Sequence, residues 1–368
     1  MSLSPFAQSF AGKRIFLTGH TGFKGSWLAL WLEKLGARVT GYSLAPPTQP
    51  NHFEVANVRD SLAAHHDGDL CDRARLAAAM READPDLVMH LAAQSVVRTG
   101  YADPFRTFET NVMGTASLLE AVRSLGKPCA VLCVTSDKCY ENREQIWGYR
   151  ENDAFGDYDP YGGSKGAAEI TIRSYRHSFF HPDKYDQHGV ALASARAGNV
   201  IGGGDWKDHA LLPDAFRALS KGQAIPVRSP DSFRPWQHVL QCLSGYLTLG
   251  CRLLGDNPIE YCSGWNIGPL PGSELPVREV LDLFVAEWGS GEWQFVGEKD
   301  QPREAMILRL CIDKAVWQLN WKPAWDVHAA IRQSARWYRR YLESPQTIRE
   351  FSLQQIDEYS AAMNTGNN

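Results

Sequence analysis

The segment Thr18-Gly19-His20-Thr21-Gly22-Phe23-Lys24-Gly25 constrains this chain more than any other. It follows a short apolar run, Arg14-Ile-Phe-Leu-Thr18, and precedes Ser26-Trp-Leu-Ala-Leu-Trp-Leu-Glu-Lys-Leu35, an apolar stretch of helical length stopped by Gly36. A strand, a glycine-rich turn and a helix in that order open a doubly wound α/β sheet. Gly19 lets the chain turn off the strand, Gly22 lets backbone approach a pyrophosphate, and Gly25 lets the helix pack close. The helix N-terminus offers free N–H groups and its dipole to negative charge, with the Lys24 cation in reach.

Four more runs read as strands: Ala37-Arg-Val-Thr-Gly-Tyr42, Leu87-Val-Met-His-Leu91, Ala130-Val-Leu-Cys-Val134 and Val190-Ala-Leu-Ala-Ser-Ala195. They lack alternation and are separated by helical stretches, as in a parallel sheet covered on both faces. Ligands of such sheets sit beyond the carboxyl ends of the strands. There lie the glycine turn, Ala92-Ala93-Gln94-Ser95, Ser136-Asp137-Lys138 and Gly198-Asn199-Val-Ile-Gly202. The expected fold is α/β, a Rossmann-type doubly wound parallel sheet with a smaller, mixed α/β C-terminal substrate domain. A chain of 368 residues suits that division. Residues 1–196, with part of 235–268 returning, are expected to form the NAD-binding domain; 197–234 and 269–368 form the second. Beyond residue 200, Gly202-Gly-Gly204, Pro213, Pro226, Pro230 and Pro235 break the chain into loops and short helices. A last helix is expected from Val327 to Leu342, extending toward Met363.

Tyr161-Gly-Gly-Ser-Lys165 sets a phenol and an ammonium one helical turn apart on one face. A nearby ammonium favours phenolate and is expected to lower the tyrosine pKa from about 10 towards neutrality. Ser136, at a neighbouring strand end, adds a hydroxyl. Such a set takes a proton from an alcohol while a nicotinamide takes the hydride. An acid some 20 residues after the glycine turn would hold the ribose of NAD, and an arginine would suit NADP. The region reads Gly41-Tyr42-Ser43-Leu44-Ala45-Pro46-Pro47, with neither; the lack of a cation favours NAD. The cofactor residues expected are Thr18, Gly19, Thr21, Gly22, Phe23, Lys24 and Gly25. Asp69 and Leu70 on the adenine side, the strand end Leu91, Ala92 and Ala93, and Tyr161 and Lys165 complete the set.

These motifs resemble the extended short-chain dehydrogenase/reductase family, from about Lys13 to the end of the last expected helix. Ser136, Tyr161 and Lys165 match its proton-transfer unit position by position. Asp137-Lys138 adds an acid and a base that a hydride shuttle alone does not require. Within the family this resembles the nucleotide-sugar 4,6-dehydratase branch, which places Asp-Glu there. The Asp-Lys form, the glycine turn and Arg234-Pro-Trp-Gln-His-Val239 together imply glucose on a cytidine diphosphate as substrate. Nothing in the residues themselves separates cytosine from uracil or thymine. The resemblance implies that Tyr161 takes the C4 hydroxyl proton, that Asp137 is the general acid for water leaving C6, and that Lys138 stands where the base for C5 stands. A lysine serves as that base only if its pKa falls from about 10.4 towards 7. Paired with Asp137, it would instead hold that carboxylate ionised. The same resemblance implies that Asn199 contacts the sugar diphosphate, Arg234 clamps a phosphate, Arg303 serves the nucleotide end, and Gln94 and Arg98 touch the sugar.

It further implies a homodimer through helices at about 107–125 and 161–179, with a tetramer open, and a supply of deoxysugars for bacterial lipopolysaccharide O-antigen. The rival readings are a nucleotide-sugar 4-epimerase or reductase of the same family, a dehydratase acting on another nucleoside-diphosphate glucose, and a non-catalytic nucleotide-binding regulator. The intact Ser136, Tyr161 and Lys165 speak against the last of these.

Bulk properties narrow the partners. A net charge of −4 argues against nucleic acid. The first ten residues lack the pattern of a secretory signal, and no run approaches the roughly 20 apolar residues of a membrane helix. Eight cysteines with no Cys-x-x-Cys pair fit free thiols in a cytoplasmic enzyme. His65-His66, the only adjacent histidine pair, has no other ligand in metal spacing and is expected at the surface; no metal is assigned.

Overall fold

The computed structural model describes residues 6–297 and 308–365. Seven strands form the central sheet: β1 (Arg14–Thr18), β2 (Arg38–Ser43), β3 (Ala64–Asp67), β4 (Leu87–His90), β5 (Cys129–Val134), β6 (Val190–Ala197) and β7 (Gly264–Ile267). Their order is β7-β6-β5-β4-β1-β2-β3, and every neighbouring pair is parallel. The chain runs outward from β1 to β3 and then crosses to β4 on the other side of β1. That reversal opens a crevice beyond the carboxyl ends of β1 and β4. The five strands expected from apolar runs are all present. β3 and β7 escape that criterion: β3 reads Ala-His-His-Asp at one edge, and β7 is a four-residue strand at the other. His65-His66 therefore lies in a half-buried strand rather than at the surface.

Side chains alternate between two cores. Ile15, Leu17, Leu87 and Met89 face one, while Phe16, Val88 and Val131 face the other. Six long helices matter for the site: α1 (Phe23–Lys34), α2 (Gly114–Leu125), α3 (Pro160–Ser178), α4 (Val239–Leu253), α5 (Val327–Glu343) and α6 (Ile348–Thr365). Helix α1 is apolar all round, and Trp27 through Leu32 are all buried. Such a helix needs cover on every side. The C-terminal helix α6 supplies part of it: Tyr359 packs edge-on to Trp31, and Arg349 pairs with Glu33 at 2.8 Å. The single last helix expected from the sequence is two, broken at Ser344-Pro345, because proline lacks the N–H and disfavours helical backbone before it.

The C-terminal part carries three two-stranded pairs. Val200–Ile201 pairs with Gln237–His238, Ile225–Val227 with Trp293–Phe295, and Phe233–Pro235 with Glu274–Pro276. No helix of the described residues is long and apolar enough to cross a membrane.

Gly203 joins the two parts. Its carbonyl accepts a 2.9 Å bond from the Trp27 indole, and a Cβ added there would lie 2.0 Å from Cγ of the buried Trp337 in α5. Gly203→Ala is therefore expected to cost about 1–3 kcal/mol, seen as a lower urea midpoint at unchanged slope. An unchanged midpoint would mean that α5 yields freely at this contact.

Candidate active site

The glycine turn is closed by contacts that only glycine permits. Gly19 has φ +77°, and a Cβ there would lie 2.6 Å from the Ala92 nitrogen. A Cβ on Gly25 would lie 2.1 Å from the Gly19 carbonyl oxygen. Gly22 caps α1 in extended backbone, and its added Cβ would meet only that same oxygen, at 3.4 Å. The cradle thus packs tightly on its inner side, with the Gly22 N–H donated to the Gly19 carbonyl at 3.1 Å, and leaves the first-turn N–H groups of α1 available to a pyrophosphate. Thr18 and Thr21 turn inward. The Thr18 hydroxyl lies 2.7 Å from His90 Nδ1 and accepts from the Ala92 N–H, while Thr21 donates to the Leu44 carbonyl and meets the Ser43 hydroxyl at 2.8 Å. Their side chains brace the turn.

Asp69 accepts from the Cys71 N–H at 2.9 Å and pairs with Arg106; Leu70 packs beneath Gly114. Leu91, Ala92 and Ala93 lie half-buried beyond β4.

Helix α3 brings in the phenol and amine. Asp159 caps it by accepting from the Tyr161 and Gly162 N–H groups, at 2.9 and 3.0 Å, and Pro160 occupies the first position. Two glycines let its backbone press on the turn after β5. A Cβ on Gly162 would lie 3.0 Å from the Lys138 carbonyl oxygen, and one on Gly166 the same distance from that of Cys139. Ser136, Asp137, Tyr161 and Lys165 are all buried in this contact. The Ser136 hydroxyl and the Lys138 N–H both donate to Asp137 Oδ1 at 2.9 Å; a Cβ on Gly198 would lie 2.6 Å from Asp137 Oδ2.

Burial pushes the Asp137 carboxyl up, against the Lys138 and Lys24 charges and the Ser136 hydrogen bond. No ion pair joins Lys138 to Asp137 among the described residues; the contact between them is the backbone hydrogen bond. Burial, joined by the Lys24 ammonium, pushes Lys165 down to about 8. Burial also raises the Tyr161 phenol, with the Ser136 hydroxyl as the opposing contact. This corrects the expectation that Lys165 lowers Tyr161: both groups are dry, and desolvation outweighs their proximity.

The other expected residues are more scattered. The Gln94 amide is committed to the Thr107 hydroxyl at 2.8 Å. Arg98 is exposed on the helix Val97–Ala102, whose Gly100 lies against the Tyr161 backbone. Asn199 is half-buried in the loop whose Gly202 meets Phe23. Arg234 is half-buried, three residues before the strand that pairs with Val200–Ile201. Arg303 lies outside the described residues.

Two structural anchors were not foreseen. Asn111, in the π-helical turn Glu109–Met113, bonds both backbone groups of Gln94 and the Ser164 hydroxyl. Glu169, one turn beyond Lys165, accepts from Thr135, Ser194 and Arg196. The spacing Tyr161, Lys165, Glu169 is a signal the sequence offered.

A buried Ser–Tyr–Lys set at the carboxyl edge of this sheet is the arrangement of short-chain dehydrogenases/reductases. Residues 16–182 match the family model described as GDP-mannose 4,6 dehydratase. The CDP-glucose 4,6-dehydratase of Salmonella typhimurium is 46% identical, covering 95% of this chain and 97% of that protein. A dTDP-glucose 4,6-dehydratase of Shigella flexneri is 24% identical, over 88% and 92%. Among solved structures, a dTDP-glucose 4,6-dehydratase from Streptomyces venezuelae has TM-score 0.74 at 23% identity, covering 89% of this chain and 97% of that one. The chain belongs to the nucleotide-sugar 4,6-dehydratase family of extended short-chain dehydrogenases/reductases.

The buried ammonium makes a stability prediction. Lys165 binds its proton less tightly in the folded chain than at the ordinary value of 10.5, so its cost is fully present below about pH 8 and fades as pH rises towards 10.5. Lys165→Met is expected to be more stable by about 1–3 kcal/mol at pH 7, with the gain shrinking towards pH 10. Equal stability of the two proteins across that range would show that the ammonium is well solvated.

Proposed function

We propose that the protein converts CDP-glucose to CDP-4-keto-6-deoxyglucose and water, with NAD bound throughout. The observation that carries this reading is Asp137, a buried acid with a raised pKa placed directly beside Ser136 and Tyr161. An epimerase needs the proton-transfer set and no such second acid. The cytidine assignment is supported by the 46% identity to the Salmonella enzyme along nearly the whole chain.

Gly22, Phe23, Lys24 and the other turn residues would hold NAD, which would supply reversible hydride chemistry at the sugar. Tyr161 takes the C4 hydroxyl proton, with Ser136 holding the oxygen; Lys165, close to neutrality at about 8, shares that proton with the phenol. The C4 ketone acidifies C5–H. Lys138 removes the C5 proton, Asp137 protonates the C6 hydroxyl, and water leaves as the C5–C6 double bond forms. Asn199, Arg234 and Arg303 are assigned to the nucleotide diphosphate, and Arg98 to the sugar. Gln94, whose amide holds Thr107, is assigned to the sugar through its position at the β4 edge. Residues 1–196 with part of 235–268 are assigned to the NAD domain, and 197–234 with 269–368 to the sugar-nucleotide domain.

A homodimer through α2, the turn preceding it and α3 is supported by the exposed apolar side chains Met113 and Ile170. Eight free thiols support a cytoplasmic location. Supply of deoxysugars for lipopolysaccharide O-antigen is the role assigned to this product from the family resemblance.

Mass spectrometry after incubation with NAD and, separately, CDP-, UDP- and dTDP-glucose and GDP-mannose tests the reading. Loss of water from CDP-glucose is expected. Loss from another sugar would overturn the cytidine assignment, and an unchanged mass with inverted stereochemistry would overturn dehydration. Asp137→Asn and Lys138→Met are each expected to slow elimination by roughly a hundredfold or more while reduced cofactor accumulates on the enzyme. Full turnover by Lys138→Met would remove Lys138 from the chemistry.

A further inference from the structure

The end of β2 carries Ser43 where dinucleotide folds place the acid that holds the adenosine ribose. That serine is already engaged by Thr21, at 2.8 Å. The next strand resolves the omission. In the β2–β3 ladder Gly41 pairs with His65 and Ser43 with Asp67. Residues paired in register point to the same face of a sheet, and alternate residues share that face.

The face is the one on which the glycine turn lies. A Cβ on Gly41 would lie 2.6 Å from the His20 ring, and His20 Nε2 is 2.7 Å from His65 Nδ1. Asp67 is the next residue of that face towards the carboxyl edge, one strand beyond Ser43, which is about 4.8 Å. Its side chain is exposed and makes no hydrogen bond or ion pair among the described residues. The neighbouring Asp69, by contrast, is held by Arg106 and the Cys71 N–H. The strand end that carries Asp67 is rigid: Gly68 packs on the Tyr42 ring, whose hydroxyl donates to the Asp69 carbonyl at 2.8 Å.

We infer that Asp67 accepts the 2′-hydroxyl of the adenosine ribose in place of the missing β2 acid, and that its carboxylate excludes a 2′-phosphate. It is a specificity-determining residue, supplied by β3 rather than β2. Both effects follow from one charge: it attracts hydroxyl donors and repels a phosphate. The inference rests on the reading of the glycine turn as an NAD site.

Calorimetric titration of the full-length protein without any sugar nucleotide tests it. NAD, 2′-deoxy-NAD and NADP are titrated into wild type and Asp67→Ala, with circular dichroism to verify the fold of this exposed-site variant. Asp67→Ala is expected to weaken NAD by roughly tenfold or more, as for a lost hydrogen bond to a charged group, and to leave 2′-deoxy-NAD within about twofold. NADP should bind the variant more tightly than the wild type. Unchanged NAD binding, or equal weakening of NAD and 2′-deoxy-NAD, overturns the assignment. Wild type that binds no NAD overturns it together with the cofactor reading. Ribose discrimination by Asp67 without dehydration of any sugar would support the assignment and overturn the dehydratase reading alone.

Discussion

The buried ion pair between Glu169 and Arg196, 2.9 Å apart, is the joint on which this site depends. Glu169 belongs to α3, the helix that carries Tyr161 and Lys165, and Arg196 belongs to β6. Thr135, the residue before Ser136, donates to Glu169 Oε1 at 2.5 Å, and Ser194 donates to Oε2 at 2.9 Å. Arg196 continues to the Tyr140 hydroxyl at 2.6 Å, and Tyr140 donates to Asn266 of β7 at 2.7 Å. One network therefore locks the phenol-bearing helix, the serine-bearing strand end, the turn that follows and the returning edge strand. A buried charge of this kind is tolerated only when fully paired, and losing one partner costs about 3–5 kcal/mol. Arg196 holds Glu169 ionised despite its burial.

The site's electrostatics follow from that rigidity. Glycines at 162 and 166 allow α3 to press on the turn at Asp137–Cys139 so closely that the phenol, amine and carboxyl are dried together. Drying raises the Asp137 carboxyl and lowers the Lys165 amine, moving both towards the range in which they exchange protons, while it raises the Tyr161 phenol away from that range. Burial displaces Tyr161 and Lys165 in opposite directions, the phenol up and the ammonium down, so their spacing alone does not set the phenol's acidity.

Much of this was legible in the sequence because glycine and apolar runs carry unambiguous backbone meaning. Gly19 and Gly25 make the tight backbone approaches their spacing implies, and five strands follow from uninterrupted apolar runs. What escaped was structure held by tertiary contact. β3 is polar because it is an edge strand whose histidine bonds back to the glycine turn, and Asn111 sits in a π-helical turn that leaves no mark on helical periodicity. The direction of the Tyr161 shift escaped for a related reason: spacing shows which groups are neighbours along a helix, and only the folded chain shows how dry they are.

The central claim is that one buried site both oxidises C4 and eliminates water across C5–C6, so that the hydrogen removed from C4 reappears at C6. CDP-glucose carrying deuterium at C4, turned over with unlabelled NAD and followed by NMR, tests this most directly. The account predicts a product lighter by one water that carries the deuterium at C6. Deuterium still at C4, on a sugar of unchanged mass, would contradict it.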